Sequence, residues 1–287
     1  MTKFESISYT GNSAIDPDKA TRNEDAVLVC KDFGVVVDGA SGIFKERVTA
    51  ADSDAQWFAL TWKDYLQSAL IDKTKSIKDI VKTGITQIDR IYMSLPNADK
   101  IKSKPSASIA IFRIENEQIQ YFMLGDSPMM FVLKDGNFEY FIPGDCIKLD
   151  AEVIASMVSI SKQEGIDVFQ ARPLVQDMIV HNRLRLQNQA GGYWILSDSV
   201  QAADNALMGS IPLENVTHIV AMSDGFSQIF DVLNIYSKQE FATKVASGVD
   251  LQKFYDEIKT AQTNDNHCNK FPRYKQSDDT SAILVEL

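Results

Sequence analysis

Hydrophobic and polar positions along the chain fall into short runs with two different periods. Residues 5–9 read as a strand, and a polar loop follows over 11–22. Ala26-Val27-Leu28-Val29-Cys30 and Phe33-Gly34-Val35-Val36-Val37 are apolar, largely β-branched runs that pair as a hairpin across the short turn Lys31-Asp32. Three β-branched residues in a row mark the second run as a buried strand. The period then becomes helical. Phe58, Trp62, Tyr65, Leu66 and Ala69 share one face, and Ile77, Ile80, Val81, Gly84, Ile88, Ile91, Tyr92 and Leu95 share another. Such stripes are the core faces of helices that cover a sheet.

Strands resume at 108–114, 118–124, 129–133 and 138–141, with turns at Glu115-Asn116-Glu117 and Asp135-Gly136-Asn137; together they read as one antiparallel meander. Residues 150–188 read as helical, broken near the middle by Pro173 and ended by Gly191-Gly192. Two further strands are expected at 193–196 and 217–222. Ser237-Lys238-Gln239-Glu240 has the form of a capping box and opens a helix that Gly248 closes. Another helix covers about 250–260, and the last strand covers 281–285.

A chain of 287 residues with 45% hydrophobic content can bury a large core, and no Pro-, Gly- or Ser-rich linker divides it. The expectation is one domain over 1–287, with the helical segment 150–190 as a flap on the substrate side. No apolar run approaches the roughly 18 residues of a membrane span, and Met1-Thr2-Lys3-Phe4-Glu5 lacks the apolar core of a signal peptide. This reads as a cytoplasmic protein with no membrane partner. The net charge of −10, without a basic cluster, would repel nucleic acid. Cys30, Cys146 and Cys268 are odd in number and far apart, as in a chain of reduced thiols.

Acidic residues gather where strands begin or end. Asp38 closes the Val35–Val37 run, Asp126 follows 118–124, Asp224 follows 217–222, Asp278-Asp279 precede the last strand, and Asn23-Glu24-Asp25 precede the first strand of the hairpin. A carboxylate at the edge of an apolar strand is costly to desolvate unless it caps a turn, meets a cation or binds a metal. Gly39 permits a sharp turn that leaves its carbonyl beside Asp38 as a second hard oxygen. Taken singly, each site is also a plain Asx turn. Five converging on one cleft cannot all remain ionised without cations. Oxygen donors with no paired His or Cys favour Mg²⁺ or Mn²⁺ over zinc. Two such ions about 3.5–4 Å apart can activate water against a phosphate ester.

In chain order, Asn23-Glu24-Asp25-Ala26, Val37-Asp38-Gly39-Ala40-Ser41-Gly42, Gly125-Asp126-Ser127, Ser223-Asp224-Gly225 and Asp278-Asp279-Thr280-Ser281 resemble the motif series of the metal-dependent Ser/Thr protein phosphatases. This is the type 2C (PPM) family, and the likeness is to bacterial-like members. The resemblance implies an α+β fold, a four-layer αββα sandwich of two packed antiparallel β-sheets flanked by helices. It implies two divalent cations, Mn²⁺ or Mg²⁺, bridged by Asp38. The Gly39 carbonyl and either Asp25 or Glu24 would complete one ion, and Asp224 and Asp278 would hold the other. Asp126 would lend itself to a third, weaker metal, with Asp279 supporting from behind. Asp38 and Asp224 then carry catalysis, and the partner is a phosphorylated protein whose phosphoserine or phosphothreonine is hydrolysed by metal-activated water, with no covalent intermediate.

Two positions depart from the family. Its phosphate-binding basic residue would fall on Ala20, which leaves Arg22 and Lys19 as candidates; guanidinium can engage two phosphate oxygens at once. Ala40 stands where many members carry His. Both changes motivate a rival reading, a non-catalytic binding or regulatory module of the same fold. His267-Cys268 to Arg273 resembles a cysteine-phosphatase loop, but only four residues separate Cys from Arg, and Pro272 has no amide to offer phosphate.

Overall fold

The computed structural model describes residues 2–11 and 22–287. Its strands in chain order are β1 (Lys3–Tyr9), β2 (Asp25–Val29), β3 (Phe33–Gly39), β4 (Ala107–Glu115), β5 (Gln118–Leu124), β6 (Met129–Leu133), β7 (Phe138–Phe141), β8 (Leu207–Pro212), β9 (Val216–Met222) and β10 (Thr280–Glu286). They form two five-stranded antiparallel sheets, ordered β1-β10-β9-β6-β7 and β2-β3-β4-β5-β8. Seven α-helices accompany them among the described residues.

Alternation along β3 shows how the layers stack. Val35 and Val37 pack with Phe58, Trp62 and Leu66 of α1 (Asp54–Ala69) and Ile80 and Val81 of α2 (Ile77–Met93). Val36 points the other way, into a second core with Phe112, Phe131, Ile219 and Ile283, which fills the space between the sheets. A strand covered on both faces has no polar position to show, which accounts for the unbroken apolar run. Beyond the other sheet, Phe226, Phe241 and Phe254 of α5 (Asp224–Asp231), α6 (Lys238–Ala246) and α7 (Leu251–Thr263) close a third core. The order is helices, sheet, sheet, helices, the four-layer α+β sandwich expected from the motifs. Each large side chain buried in these cores contributes about 1.5–3 kcal/mol of transfer free energy.

Helix starts follow the local code. Ser53, Ser76 and Asp250 accept from the backbone amides of Gln56, Asp79 and Lys253, and Ser237 with Glu240 forms the reciprocal capping box.

The structure corrects several expectations. The four strands from β4 to β7 are not one meander: β4 pairs with β5 in one sheet and β6 with β7 in the other, with the chain crossing between sheets after Gly125. Residues 193–196 form no strand, only isolated bridges of Tyr193 to Gln187 and Leu196 to Ala107, and β8 takes the edge position beside β5. The expected helical segment resolves into α3 (Asp145–Glu164), a 3-10 turn at Arg172–Val175 containing Pro173, and α4 (Gln176–Arg185).

Candidate functional site

Antiparallel register brings the first acidic positions together. Asp25 stands opposite Asp38 across β2–β3, and Asp38 stands opposite Ser108 across β3–β4. Just past the end of β5, Asp126 reaches the same place. The Ser108 hydroxyl donates to Asp126 Oδ1 at 2.5 Å and accepts from the Asp126 amide at 3.2 Å. Gly125 makes that approach possible: its φ is +82°, and a Cβ there would fall 2.1 Å from Ser108 Oγ.

The second sheet delivers its acids to the same end. The Ser223 amide donates to the Ser281 carbonyl, and the Ser281 amide to Ser223 Oγ, each at 2.9 Å, which fixes the end of β9 against the start of β10. Asp224 then opens α5, and its amide donates to Asp38 Oδ2 at 3.2 Å. Asp279 spans the sheets as well, accepting from the Gly11 amide at 2.7 Å and the Glu24 amide at 2.8 Å. At Gly225 the backbones meet so closely that a Cβ would sit 1.9 Å from the Asp279 carbonyl.

These contacts leave carboxylates crowded and poorly solvated. Burial, and then the charges of Asp279, Asp278 and Asp224, hold Asp25 well above the usual carboxylate range. Asp38 is raised by burial and by Asp25 and Asp126, and Asp224 by burial and by Asp38 and Asp278. Asp126 is raised chiefly by burial, and Asp279 is pushed to about 6 by burial and Asp278. Asp25 is 5% exposed, and neither of its carboxylate oxygens has a hydrogen-bond partner.

Among the described residues, no group of three or more His, Cys, Asp or Glu side chains is arranged to hold a metal ion. The donor set nevertheless fits a hard divalent cation: every contributor is an oxygen, the acids repel one another, and the orphaned oxygens of Asp25 need a positive partner. One cation is already present. Lys275 Nζ lies 2.5 Å from Asp278 Oδ1. Lys275 and Ser108 lie outside the sequence motifs, although Lys275 is only three residues before Asp278 and Ser108 opens a predicted strand.

The other candidates fall around this cluster. Glu24 is buried and its carboxylate accepts from the Ser41 hydroxyl. The Gly39 amide donates to the Glu24 carbonyl at 3.0 Å. Arg22 donates to the Asp52 carbonyl at 2.8 Å, while Lys19 and Ala20 lie outside the described residues. Of the segment 150–190, Asp150 and Arg183 both reach the field of Asp126. Burial and the Asp126 charge push Asp150 up to about 7, against the donor Tyr274 Oη, 2.9 Å from Asp150 Oδ1.

The loop with Cys268 is not a phosphate cradle. The amides of Asn269, Lys270 and Phe271 donate to the Asp265 carboxylate at 2.9–3.0 Å, and buried Arg273 pairs with the same group at 2.8 Å. The Cys268 thiol is fully buried and pushed up to about 11, chiefly by burial.

No family model and no curated protein matches the chain. Solved structures do. PppA, described as a key regulatory component of T6SS in Pseudomonas aeruginosa, is 14% identical with a TM-score of 0.57, over 99% of this chain and 97% of that one. The Mycobacterium tuberculosis serine/threonine phosphatase PstP/Ppp is 12% identical with a TM-score of 0.57, over 100% and 98%. The catalytic domain of serine/threonine protein phosphatase PstP in complex with two manganese ions is 11% identical with a TM-score of 0.55, over 99% and 97%. At these identities the likeness is one of fold, and the fold is that of the phosphatases whose motif series the sequence resembles.

Proposed function

We propose that the chain is a divalent-metal-dependent protein serine/threonine phosphatase that works without a phosphoenzyme. The observation that carries this reading is the meeting of Asp25, Asp38, Asp126, Asp224, Asp278 and Asp279 from both sheets, with the oxygens of Asp25 buried and unpaired. Asp38, in the field of Asp25, Asp126 and Asp278, is the residue suited to touch two Mn²⁺ or Mg²⁺ ions at once. Asp25 and the Gly39 carbonyl would hold one, Asp224 and Asp278 the other, and Asp126 a third and weaker one. Bound there, such ions would lower the pKa of water toward neutrality and offset charge on phosphoryl oxygens.

The chain's own residues do the rest. Asp279 keeps the approaches to β2 and β10 together through the Gly11 and Glu24 amides, and Glu24 is itself steadied by Ser41. Asp38 and Asp224 orient the reacting centre, being joined through the Asp224 amide. Ala40 brings no proton, so leaving-group protonation falls to water. Arg22 and Lys19 are assigned to the substrate phosphate, and the segment 150–190 to the protein substrate, with Arg183 as the cation beside Asp126. The three well-separated free cysteines support a cytoplasmic setting, and no helix of the described residues is long and apolar enough to cross a membrane.

Hydrolysis of a phosphothreonine peptide with Mn²⁺ or Mg²⁺, with and without chelator, tests this. Turnover lost on chelation and in Asp38→Asn is expected; turnover that survives chelation overturns it. A second reading, a non-catalytic regulatory module, is favoured by Ala40 and by the lysine already seated on Asp278. It requires phosphopeptide binding without hydrolysis in any metal.

A further inference from the structure

We propose that Lys275 is a built-in counter-cation of the acidic cleft, seated on Asp278 in the metal-free protein and driven off when a divalent ion binds. The inference rests on reading the cleft as a cation site, and goes beyond it by assigning a competitor within the chain.

Geometry carries the assignment. Lys275 Nζ is 2.5 Å from Asp278 Oδ1, and the Asp278, Asp224 and Asp279 charges bear on the same ammonium. Its backbone is held in place from behind. Arg273 Nε and Nη2 donate to the Gln276 carbonyl at 3.1 and 3.0 Å, while Nη1 and Nη2 grip Asp265 at 2.8 and 2.7 Å. Tyr274 is tied to Asp150, and the Lys275 carbonyl accepts from Cys268 Sγ at 3.8 Å. The loop therefore aims the side chain, whereas the four-carbon stem stays free to turn. That side chain is 36% exposed, so the ammonium can leave for water with its proton and charge intact.

Asp278 is thereby committed to Lys275. A metal-free protein with this many buried carboxylates also needs an internal positive charge, which Lys275 supplies. The cost is affinity: an incoming ion must take Asp278 from a partner already in place.

The full-length protein and the variants Lys275→Met, Lys275→Gln and Lys275→Arg would be titrated with MnCl₂ by calorimetry and melted in chelator. The two neutral variants are expected to bind Mn²⁺ roughly tenfold more tightly, the scale on which one neighbouring charge shifts a carboxylate equilibrium. They are also expected to melt lower in chelator, and Lys275→Arg to behave like the natural protein. Measurable but equal Mn²⁺ affinity in all four, or weaker binding in the neutral variants, overturns the role of Lys275 and leaves the phosphatase reading intact. Absence of Mn²⁺ binding in every protein overturns both.

Discussion

Asp25 and Asp38 face each other in register across β2–β3, and both oxygens of Asp25 are buried without a donor. The fold thus holds two like charges together where water cannot reach one of them, which costs stability in the absence of a cation. At pH 8 without metal, Asp25→Asn is expected to raise the melting temperature, by about 2–4 °C for each kcal/mol of repulsion removed. The same variant should lose the stabilisation that Mn²⁺ gives the natural protein. Thermal melts with and without Mn²⁺ check both; a lower metal-free melting temperature contradicts the idea.

Asp279 accepts from the amides of Gly11, just past the end of β1 in one sheet, and Glu24, just ahead of β2 in the other. Asp279→Ala leaves both amides without their acceptor, at a cost of about 1–3 kcal/mol each if they stay dry. Metal affinity should fall roughly 10–100-fold, the scale of removing a partner that steadies metal ligands. Calorimetric titration with Mn²⁺ reads this directly, and unchanged affinity would show that Asp279 does not steady the site.

Asp150 gives a pH signature outside the proposed ligands. Its carboxyl is pushed to about 7, whereas in the unfolded chain it titrates near ~3.9. Between those values the folded protein holds a proton that the unfolded chain has released, so stability falls as pH rises through this window. Asp150→Asn removes that contribution, and its melting temperature should fall less between pH 4 and 7 than that of the natural protein, on a scale set by ~3.9 and about 7. Identical slopes would mean that Asp150 titrates normally.

Alkylation separates the metal reading from a thiol mechanism. The Cys268 thiol is fully buried and pushed up to about 11, and the amides beside it are spent on Asp265. Iodoacetamide applied to the folded protein should leave phosphatase activity within about twofold, since the thiolate is the reactive form and little of it exists. Loss of activity in step with modification of Cys268 would contradict this.

Much of this architecture was legible in the chain because its signals are local. Val35-Val36-Val37 announces a strand buried on both faces, the Ser237 capping box announces a helix, and the acids at strand ends announce a common destination. What stayed hidden depends on partners distant in sequence. β4 to β7 look continuous, yet the chain changes sheets after Gly125, a choice made by the inter-sheet core around Phe112 and Phe131. β8, with Met208 and Ser210 exposed at a sheet edge, lacks the apolar density of the other strands. Lys275 carries no local signal, because only the folded loop, pinned by Arg273 and Asp265, turns it onto Asp278.

The claim on which the functional reading rests is that these acids form one divalent-cation pocket, and anomalous scattering from a crystal grown with Mn²⁺ measures it most directly. Two strong anomalous peaks, one against Asp25 and Asp38 and one against Asp224 and Asp278, are expected, with Lys275 moved off Asp278. A crystal at saturating Mn²⁺ with no anomalous density at these carboxylates, and Lys275 still seated, would contradict it.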